Sequence, residues 1–230
     1  LASLAGVSLG GGSSSEGQIA REIMQSWSFI EGFIDNNDLA VGLAAADGWD
    51  KATNKLLINA STYDPESEKW LLDDGIPSSW ALYRAFVGRL SVSEDKTSGL
   101  VSVSIEYYSP LIAKQWLDLY VAAINEHMQK REMAKVTRNI EYLQAQIKKT
   151  NIAEMQEVFY TIIEEQIKSK MLAEASPEYA FVAVSPSMVP EEKSQPKRAL
   201  ICLLGTLLGG MLSVLLVLVI HYGRKSGVSH

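Results

Sequence analysis

The sequence predicts an α+β domain with one very long projecting α-helix, followed by a C-terminal transmembrane helix. Three observations lead to this fold class. Residues 18–108 mix apolar repeats at helix spacing with apolar repeats at strand spacing. Residues 111–175 contain neither proline nor glycine, which favours an uninterrupted helix. Residues 199–220 contain no charged side chain, and a run of this length is typical of a membrane span.

Residues 18–108 are predicted to form an α/β domain close to the membrane. Apolar residues at steps of three and four predict amphipathic helices in "SEGQIAREIMQSWSFIEGFIDNN" and, behind a serine cap, in "SSWALYRAFVGRL". A short helix is expected at residues 38–46 and a strand in "KLLINAST". Residues 90–93 and 100–107 alternate apolar and polar side chains around a Gly-containing loop, which predicts a β-hairpin with one solvated face.

Residues 109–176 are predicted to form the long helix, which starts at Ser109-Pro110 because proline is tolerated in the first helical turn. A continuous helix of this length reaches about 100 Å. Its apolar stripe needs a cover, so oligomerisation is expected. The apolar register slips at residues 148–151, where a bend is expected. A helix folded back into a hairpin at that point is the alternative.

Beyond the long helix, residues 177–185 are predicted to return to the sheet as a strand. Residues 186–198 contain Pro186, Pro190 and Pro196. Proline is poorly tolerated in helices and central strands, so this segment is expected to be an extended strut next to the membrane.

Residues 199–222 are the predicted transmembrane helix, and residues 223–230 follow as a short tail. Basic residues flank the apolar run on both sides, namely Lys197, Arg198, Arg224 and Lys225. The two flanks carry nearly equal charge, so the positive-inside rule does not decide the orientation.

Small residues within the run form one face of the predicted helix. Gly205 and Gly209 form a GxxxG pair, which Ser213 extends and Gly210 widens. Because small residues let two membrane helices approach closely, this face is expected to pack against another helix.

Residues 1–17 are rich in glycine and serine and are expected to be a mobile loop. The chain does not begin with methionine and has no signal-peptide pattern, so it is expected to be the C-terminal part of a longer protein. The net charge of −6 disfavours nucleic acid as a partner. With one cysteine, Cys202, the chain cannot form an internal disulfide.

No pattern of catalytic or cofactor-binding residues is present. The three histidines are His127, His221 and His230, and none has a second histidine at metal-ligand spacing. No glycine-rich loop carries the lysine of a phosphate site. The chain is therefore predicted not to be an enzyme and to hold no cofactor or metal.

Three stretches together resemble the O-antigen chain-length determinant (Wzz) family, the polysaccharide co-polymerases of the bacterial inner membrane. They are "VSVSIEYYSPLIAKQWLDLYVAAINEHM", "NIEYLQAQIKKTNIAEMQEVFYTIIEEQIKSKMLAE" and "MVPEEKSQPKRALICLLGTLLGGMLSVLLVLV". The opening "LASLAGVSLGG" is also similar to a mobile periplasmic loop of that family. The most specific part is the proline-rich segment that runs into a glycine-containing span.

The resemblance implies a periplasmic domain in residues 1–198 and a cytoplasmic tail in residues 223–230. It also implies that the N-terminal part of the domain and a first transmembrane helix are absent from this chain. The family forms ring-like homo-oligomers and has no catalytic residues. It works with a Wzy-type polymerase on lipid-linked polysaccharide and sets the modal length of the O-antigen. Pro190, Pro196, Gly205 and Gly209 are then expected to hold the span in register with its neighbours.

Two other functions fit the same features. The first is a related co-polymerase for capsule or exopolysaccharide. The second is a tail-anchored coiled-coil tether, which explains the long helix and the span but not the predicted hairpin and returning strand.

Overall fold

Six helices and three β-hairpins make up residues 12–189 of the computed structural model, which describes this range together with residues 202–213 and 215. By its contacts the chain divides into one unit of Leu1–Val189 and another of Pro190–His230. The elements of the first unit are α1 (Gly12–Met24), α2 (Trp27–Asn36), α3 (Ala40–Ala44), β1 (Ala46–Asp50), β2 (Lys55–Ile58), β3 (Tyr63–Asp64), β4 (Lys69–Trp70), α4 (Ser79–Val87), β5 (Leu90–Glu94), β6 (Val101–Ile105), α5 (Pro110–Ile147) and α6 (Ala153–Glu174).

The helical core forms around the first turns of α5. Tyr120 of α5 is fully buried, and its ring lies 4.9 Å from the ring of Phe33 and 5.2 Å from that of Phe86. Its hydroxyl donates a hydrogen bond to the carbonyl oxygen of Met24, the last residue of α1. A buried hydroxyl needs such a partner. One side chain therefore connects α1, α2, α4 and α5.

The predicted caps and hairpin are present. Ser78 accepts a hydrogen bond from the amide of Ala81 at the start of α4, and Ser109 accepts one from the amide of Ile112 at the start of α5. β5 and β6 pair antiparallel, with Val92 opposite Val103. The apolar side chains of this hairpin pack against the core, as the alternating pattern predicts. The predicted strand in "KLLINAST" is β2.

The three hairpins share one loop design. Asp50, Asp64 and Asp95 each accept a hydrogen bond from the backbone amide two residues later and another from the Ser or Thr hydroxyl three residues later. The residue four positions after each aspartate has a positive φ: 54° at Asn54, 53° at Glu68 and 70° at Gly99. A left-handed residue at this point lets a short loop match the twist of the strands. The repeated Asp-x-x-Ser/Thr spacing thus marks each turn.

The predicted single helix over residues 109–176 is wrong, because it is two helices. α5 ends at Ile147 and α6 begins at Ala153, and the two pack along their length as a hairpin. Gln156 closes the connection, since its amide donates to the carbonyl oxygens of Thr150, at 2.9 Å, and Ile147, at 3.4 Å. The break falls at the predicted bend. Folding back lets α5 cover one face of α6 within the same chain, so no second copy is needed for that face.

The predicted strand at residues 177–185 is also wrong, because this segment pairs with no strand. The side chain of Asn125 accepts hydrogen bonds from the amides of Ala180 and Phe181 and donates one to the carbonyl oxygen of Phe181. A helix side chain thus satisfies the backbone groups that a sheet partner was expected to bond. The three hairpins do not join into one sheet either.

The structure also corrects the C-terminal transmembrane helix of the predicted fold class. Over the described ranges, no helix combines the length and the apolar character needed to cross a bilayer. Residues 202–213 are helical. Residues 199–201, 214 and 216–222 of the predicted span lie outside the described residues.

Replacing Gly42 by alanine is expected to destabilise the fold by about 1–3 kcal/mol. A Cβ at this position meets the indole of Trp116 at 3.1 Å and the hydroxyl of Tyr107 at 3.2 Å. Neither neighbour moves easily, because Trp116 is buried and the Tyr107 hydroxyl donates to the carbonyl oxygen of Gly42 itself. Thermal denaturation measures the change.

Gly32, in the interior of α2, is the matched control. A Cβ there meets nothing within 4 Å, so Gly32→Ala is expected to stabilise the protein by about 0.5–1 kcal/mol. A Gly42→Ala variant as stable as Gly32→Ala would show that the contact around Trp116 is not tight.

The hairpin loops are expected to loosen at acid pH. Hydrogen bonds from the Ser or Thr hydroxyl and the backbone hold the pKa of Asp50, Asp64 and Asp95 below the ordinary value of 3.8. A carboxylate whose pKa falls on folding contributes stability above its unfolded pKa and loses it as the pH falls through its folded pKa. The protection factors of the loop amides, in which the intrinsic pH dependence of exchange is divided out, are therefore expected to be level from neutral pH to about pH 5 and to fall below pH 4.

Asp95→Asn supplies the control, because the asparagine oxygen can accept from the Thr97 amide as Oδ1 of Asp95 does, whereas the side chain does not titrate. In this variant the loop after β5 is expected to lose its acid dependence, while the other two loops keep theirs. If the protection factors of the amides at residues 97–99 keep their full dependence on acid pH in Asp95→Asn, the assignment of that dependence to the Asp95 carboxylate is contradicted.

Candidate functional site

The helical hairpin of α5 and α6 carries a large exposed apolar surface. Only Ile163 and Ala173 of α6 are buried. Many of its remaining large apolar side chains are exposed to solvent: Met155, Val158, Tyr160, Ile162, Ile167, Met171 and Leu172. Contiguous apolar patches on a protein surface usually mark an interaction site. This surface is therefore the candidate functional site.

Helical spacing sorts these side chains into two stripes. We call Met155, Val158 and Ile162 the first stripe; they follow one another at steps of three and four. We call Tyr160, Ile167 and Met171 the second stripe, with steps of seven and four. At 3.6 residues per turn the two stripes lie on opposite flanks of α6.

The two remaining faces of α6 separate the stripes. The inward face carries buried Ile163, with half-buried Phe159 and Gln166 on the same side. The outward face is polar and consists of Glu157, Thr161, Glu164 and Lys168 at steps of four and three. The exposed apolar surface is thus two separate strips and not one broad face.

Salt bridges keep the outward face charged. Lys168 lies 2.8 Å from a carboxylate oxygen of Glu164 and 3.2 Å from one of Glu165. The hydrogen bond from Lys168 lowers the pKa of Glu164, and the two carboxylates raise the pKa of Lys168. Exposed pairs of this kind add little stability. Their effect is to keep the outward face, which lies between the two stripes, in contact with water.

Polar side chains of α5 hold the hairpin in place. Gln129 donates to the carbonyl oxygen of Ala173, at 2.8 Å, and to that of Ser176, at 3.2 Å, which caps the end of α6. Further along, the ammonium of Lys170 donates to the hydroxyl of Thr137 at 3.2 Å. These contacts fix the register of α6 on α5, and with it the direction in which each stripe faces.

The sequence-predicted site residues lie in other parts of the chain. Gly205, Gly209, Gly210 and Ser213 all lie in the helical stretch at residues 202–213. A Cβ on any of the three glycines meets no described atom within 4 Å, and the Ser213 hydroxyl donates to the carbonyl oxygen of Gly210. The role of these residues in helix packing stays a prediction.

The strut residues divide between the described and undescribed parts of the chain. Pro186 lies in the segment without helix or strand that ends at residue 189. The other predicted strut and flank positions lie outside the described residues: Pro190, Pro196, Lys197, Arg198, Arg224 and Lys225.

No metal-binding cluster of His, Cys, Asp or Glu occurs in residues 12–189, 202–213 and 215. A shallow, open cleft of about 670 Å³ lies beside α1 and α5, with Arg21 and Arg131 among its lining residues. Arg21 is paired with Glu94 of β5. Glu22 and Ser26 also line the cleft, and the Ser26 hydroxyl donates to the carbonyl oxygen of Ile23.

Sequence reasoning did not find the two stripes as such. It recorded Met155 and Ile162 among the apolar residues of one long helix, and it had no means to show which of them α5 would cover. The signal that separates the two stripes is the polar line at residues 157, 161, 164 and 168.

A comparison of the chain with known protein families and with curated proteins gives no match. The family resemblance therefore stays a prediction.

Replacing Asn125 by alanine is expected to cost about 1–3 kcal/mol of unfolding free energy. The change leaves the amides of Ala180 and Phe181 without their acceptor beside a helix. Faster amide exchange at these two positions is the specific readout, together with thermal denaturation.

Asn139→Ala is the matched control. Its side chain makes one exposed hydrogen bond, to Gln166, so the loss is expected to stay within about 0.5 kcal/mol. Equal effects of the two variants would contradict the anchoring role of Asn125.

Proposed function

We propose that this chain is a non-enzymatic regulator of polysaccharide chain length that acts as a homo-oligomer. The polymer is the O-antigen of lipopolysaccharide, and the partner is the Wzy-type polymerase that joins its lipid-linked repeat units. The proposal includes a location at the bacterial inner membrane with the bulk of the chain in the periplasm. It draws on the family resemblance of residues 101–128, 139–174 and 188–219.

The pair of apolar stripes on α6 is the observation that carries this proposal. A protein that assembles head to tail needs two different contact surfaces, one for each neighbour, and such contacts generate a ring when the rotation closes. The first stripe (Met155, Val158, Ile162) and the second stripe (Tyr160, Ile167, Met171) lie on opposite flanks of one helix. This arrangement supports contact with a copy on each side.

The energetics support assembly through these strips. Burying a side chain such as Val, Ile or Met is worth about 1.5–3 kcal/mol when it leaves water completely. Each stripe has three large side chains that are 41–64% exposed, so the contact between neighbours gains about half of such an increment from each of them. The polar line between the stripes remains in water, which limits the contact to the two flanks.

A regulator of chain length acts on a reaction that another protein catalyses. The described residues offer two apolar strips and a charged outward face, which are surfaces for contact with other proteins. A scaffold that gathers copies of itself around the polymerase needs only such surfaces.

Deleting the gene is expected to convert a tight cluster of O-antigen band lengths into a random ladder. A plasmid copy is expected to restore the cluster. Lipopolysaccharide from the three strains, separated on one gel, gives the measurement. An unchanged ladder in a strain that makes O-antigen contradicts the proposal and favours the co-polymerase for capsule or exopolysaccharide.

Stripe variants on the plasmid link assembly to function. Val158→Glu and Ile167→Glu each place a charge in one stripe, and each is expected to weaken self-association at least about tenfold. Strains that carry either variant are expected to lose the tight cluster of O-antigen band lengths. Thr161→Glu places the same charge on the polar outward face and is expected to leave both unchanged. Sedimentation of the purified protein reports the assembly, and loss of assembly with an intact band cluster would contradict the role of the oligomer.

A further inference from the structure

Three aromatic side chains form an exposed cluster between α2 and α4, away from the helical hairpin. We call Trp27, Trp80 and Tyr83 the aromatic platform. The ring centroids of Trp27 and Trp80 lie 5.6 Å apart at 71°, and those of Trp80 and Tyr83 lie 5.3 Å apart at 28°. Trp27 is 47% exposed and Trp80 is 52% exposed. Two half-exposed indoles in contact are a large apolar surface, and such surfaces commonly bind a ligand or partner.

The polar groups of Trp27, Ser79 and Tyr83 each donate a hydrogen bond to a neighbouring oxygen atom of the protein. The indole N–H of Trp27 donates to the hydroxyl oxygen of Ser79 at 2.8 Å. The Ser79 hydroxyl in turn donates to a carboxylate oxygen of Glu31. The hydroxyl of Tyr83 donates to the carbonyl oxygen of Gln25 at 3.0 Å. The donors of Trp27, Ser79 and Tyr83 are therefore already used, whereas the indole N–H of Trp80 has no acceptor among the described residues.

The platform offers a ligand one acceptor and one donor, namely the second carboxylate oxygen of Glu31 and the indole N–H of Trp80. A carboxylate has two oxygens and about four acceptor positions, and Glu31 uses one oxygen for Ser79. Its second oxygen has no hydrogen-bond partner within the described part of the chain. A complementary ligand must bring hydroxyl or N–H donors for Glu31 and an apolar face for the indoles.

Other ligand classes fit these requirements poorly. A proline-rich peptide presents carbonyl acceptors that suit the Trp80 N–H, but its prolines have no backbone N–H to donate to Glu31. A nucleotide brings phosphate to a carboxylate in a chain of net charge −6. A quaternary ammonium is held where ring faces converge on it, whereas Trp80 and Tyr83 are stacked on each other.

A sugar ring meets both requirements. One face of a pyranose carries axial C–H bonds that stack on an indole, and its edge carries hydroxyl groups that donate to a carboxylate. We infer that the aromatic platform is a binding site for a neutral sugar unit of a polysaccharide, which stacks on one exposed indole face and donates hydroxyl hydrogen bonds to Glu31. The inference deepens the proposed function, on which the choice of polysaccharide rests.

The test measures binding of the surface polysaccharide of the strain that carries this gene, freed from lipid by mild acid. Native gels cast with this polysaccharide retard the full chain in proportion to its affinity. Trp80→Ala is expected to weaken binding about tenfold, which corresponds to the loss of one stacked ring. Buried Leu82 and Phe86 hold α4 in place, so the variant is expected to fold.

Two further variants sharpen the result. Glu31→Gln keeps an acceptor for Ser79 but replaces the carboxylate, and it is expected to weaken binding about threefold to tenfold. Trp49→Ala is the matched control, because the Trp49 indole N–H also donates to a side chain, that of Asn54. Trp49 has no ring neighbour in the described residues, and its loss is expected to leave retardation unchanged.

The inference is overturned if the polysaccharide does not retard the wild-type chain, or if Trp49→Ala weakens binding as much as Trp80→Ala. It is also overturned if choline chloride, added as a competitor, displaces the polysaccharide from the platform. The gene-deletion gel separates this inference from the proposed function. If binding depends on Trp80 but gene deletion leaves the ladder unchanged, the proposed function is contradicted and the sugar-binding site is supported. If the plasmid copy restores the band cluster but binding does not depend on Trp80, the proposed function is supported and the sugar-binding site is contradicted.

Discussion

The helical part of residues 12–189 depends on the packing of one buried side chain, that of Tyr120. The Tyr120 ring packs against Phe29, Phe33 and Phe86, which come from α2 and α4. Burial raises the pKa of its phenol well above the ordinary value of 10.0, so the hydroxyl stays protonated and donates to the carbonyl oxygen of Met24. A core that combines aromatic packing with one satisfied hydrogen bond has little freedom to rearrange.

Helix α5 carries this order beyond the core. Within three turns of Tyr120, Asn125 binds the backbone of residues 180–181 and Gln129 caps the end of α6. One continuous helix thus positions the core, the start of the hairpin and the segment that leads to residue 189. The stripes of α6 gain a defined direction because the helix beneath them is fixed in the core. A surface meant for contact between copies needs such rigidity, since each neighbour must meet the same geometry.

Helix α4 has a comparable double role. Leu82 and Phe86 face the core, half-buried Tyr83 packs against its edge, and Trp80 is exposed as part of the aromatic platform. The platform therefore lies on a helix that is packed against Tyr120 through Phe86. Rigid support lowers the entropy lost when a ligand stacks on an aromatic side chain. In the proposed function, one core supports a surface for other copies of the chain and a separate surface for the polymer.

Local chemistry made several elements predictable from the sequence alone. Ser78 and Ser109 each have a hydroxyl that can bond a free amide at a helix start, and both do so. The alternation in β5 and β6 predicted a hairpin with one buried face, and the break near residue 148 was visible as a slip in the apolar register. These signals act within a few residues of each other, so no knowledge of the rest of the fold is required.

Tertiary structure decided which apolar faces are covered and by what. An apolar period shows which side chains share a face, but it does not identify the covering partner. For this reason residues 109–176 were predicted as one helix and are two, and residues 177–185 were predicted as a strand where Asn125 holds them instead. Trp27 fits the period of a helix that should bury it, yet it lies in the exposed platform because the chain breaks between α1 and α2. The sequence by itself determined the caps, the β5–β6 hairpin and the position of the slip near residue 148; only long-range packing decided that the chain folds back there, and which side chains form the stripes and the platform.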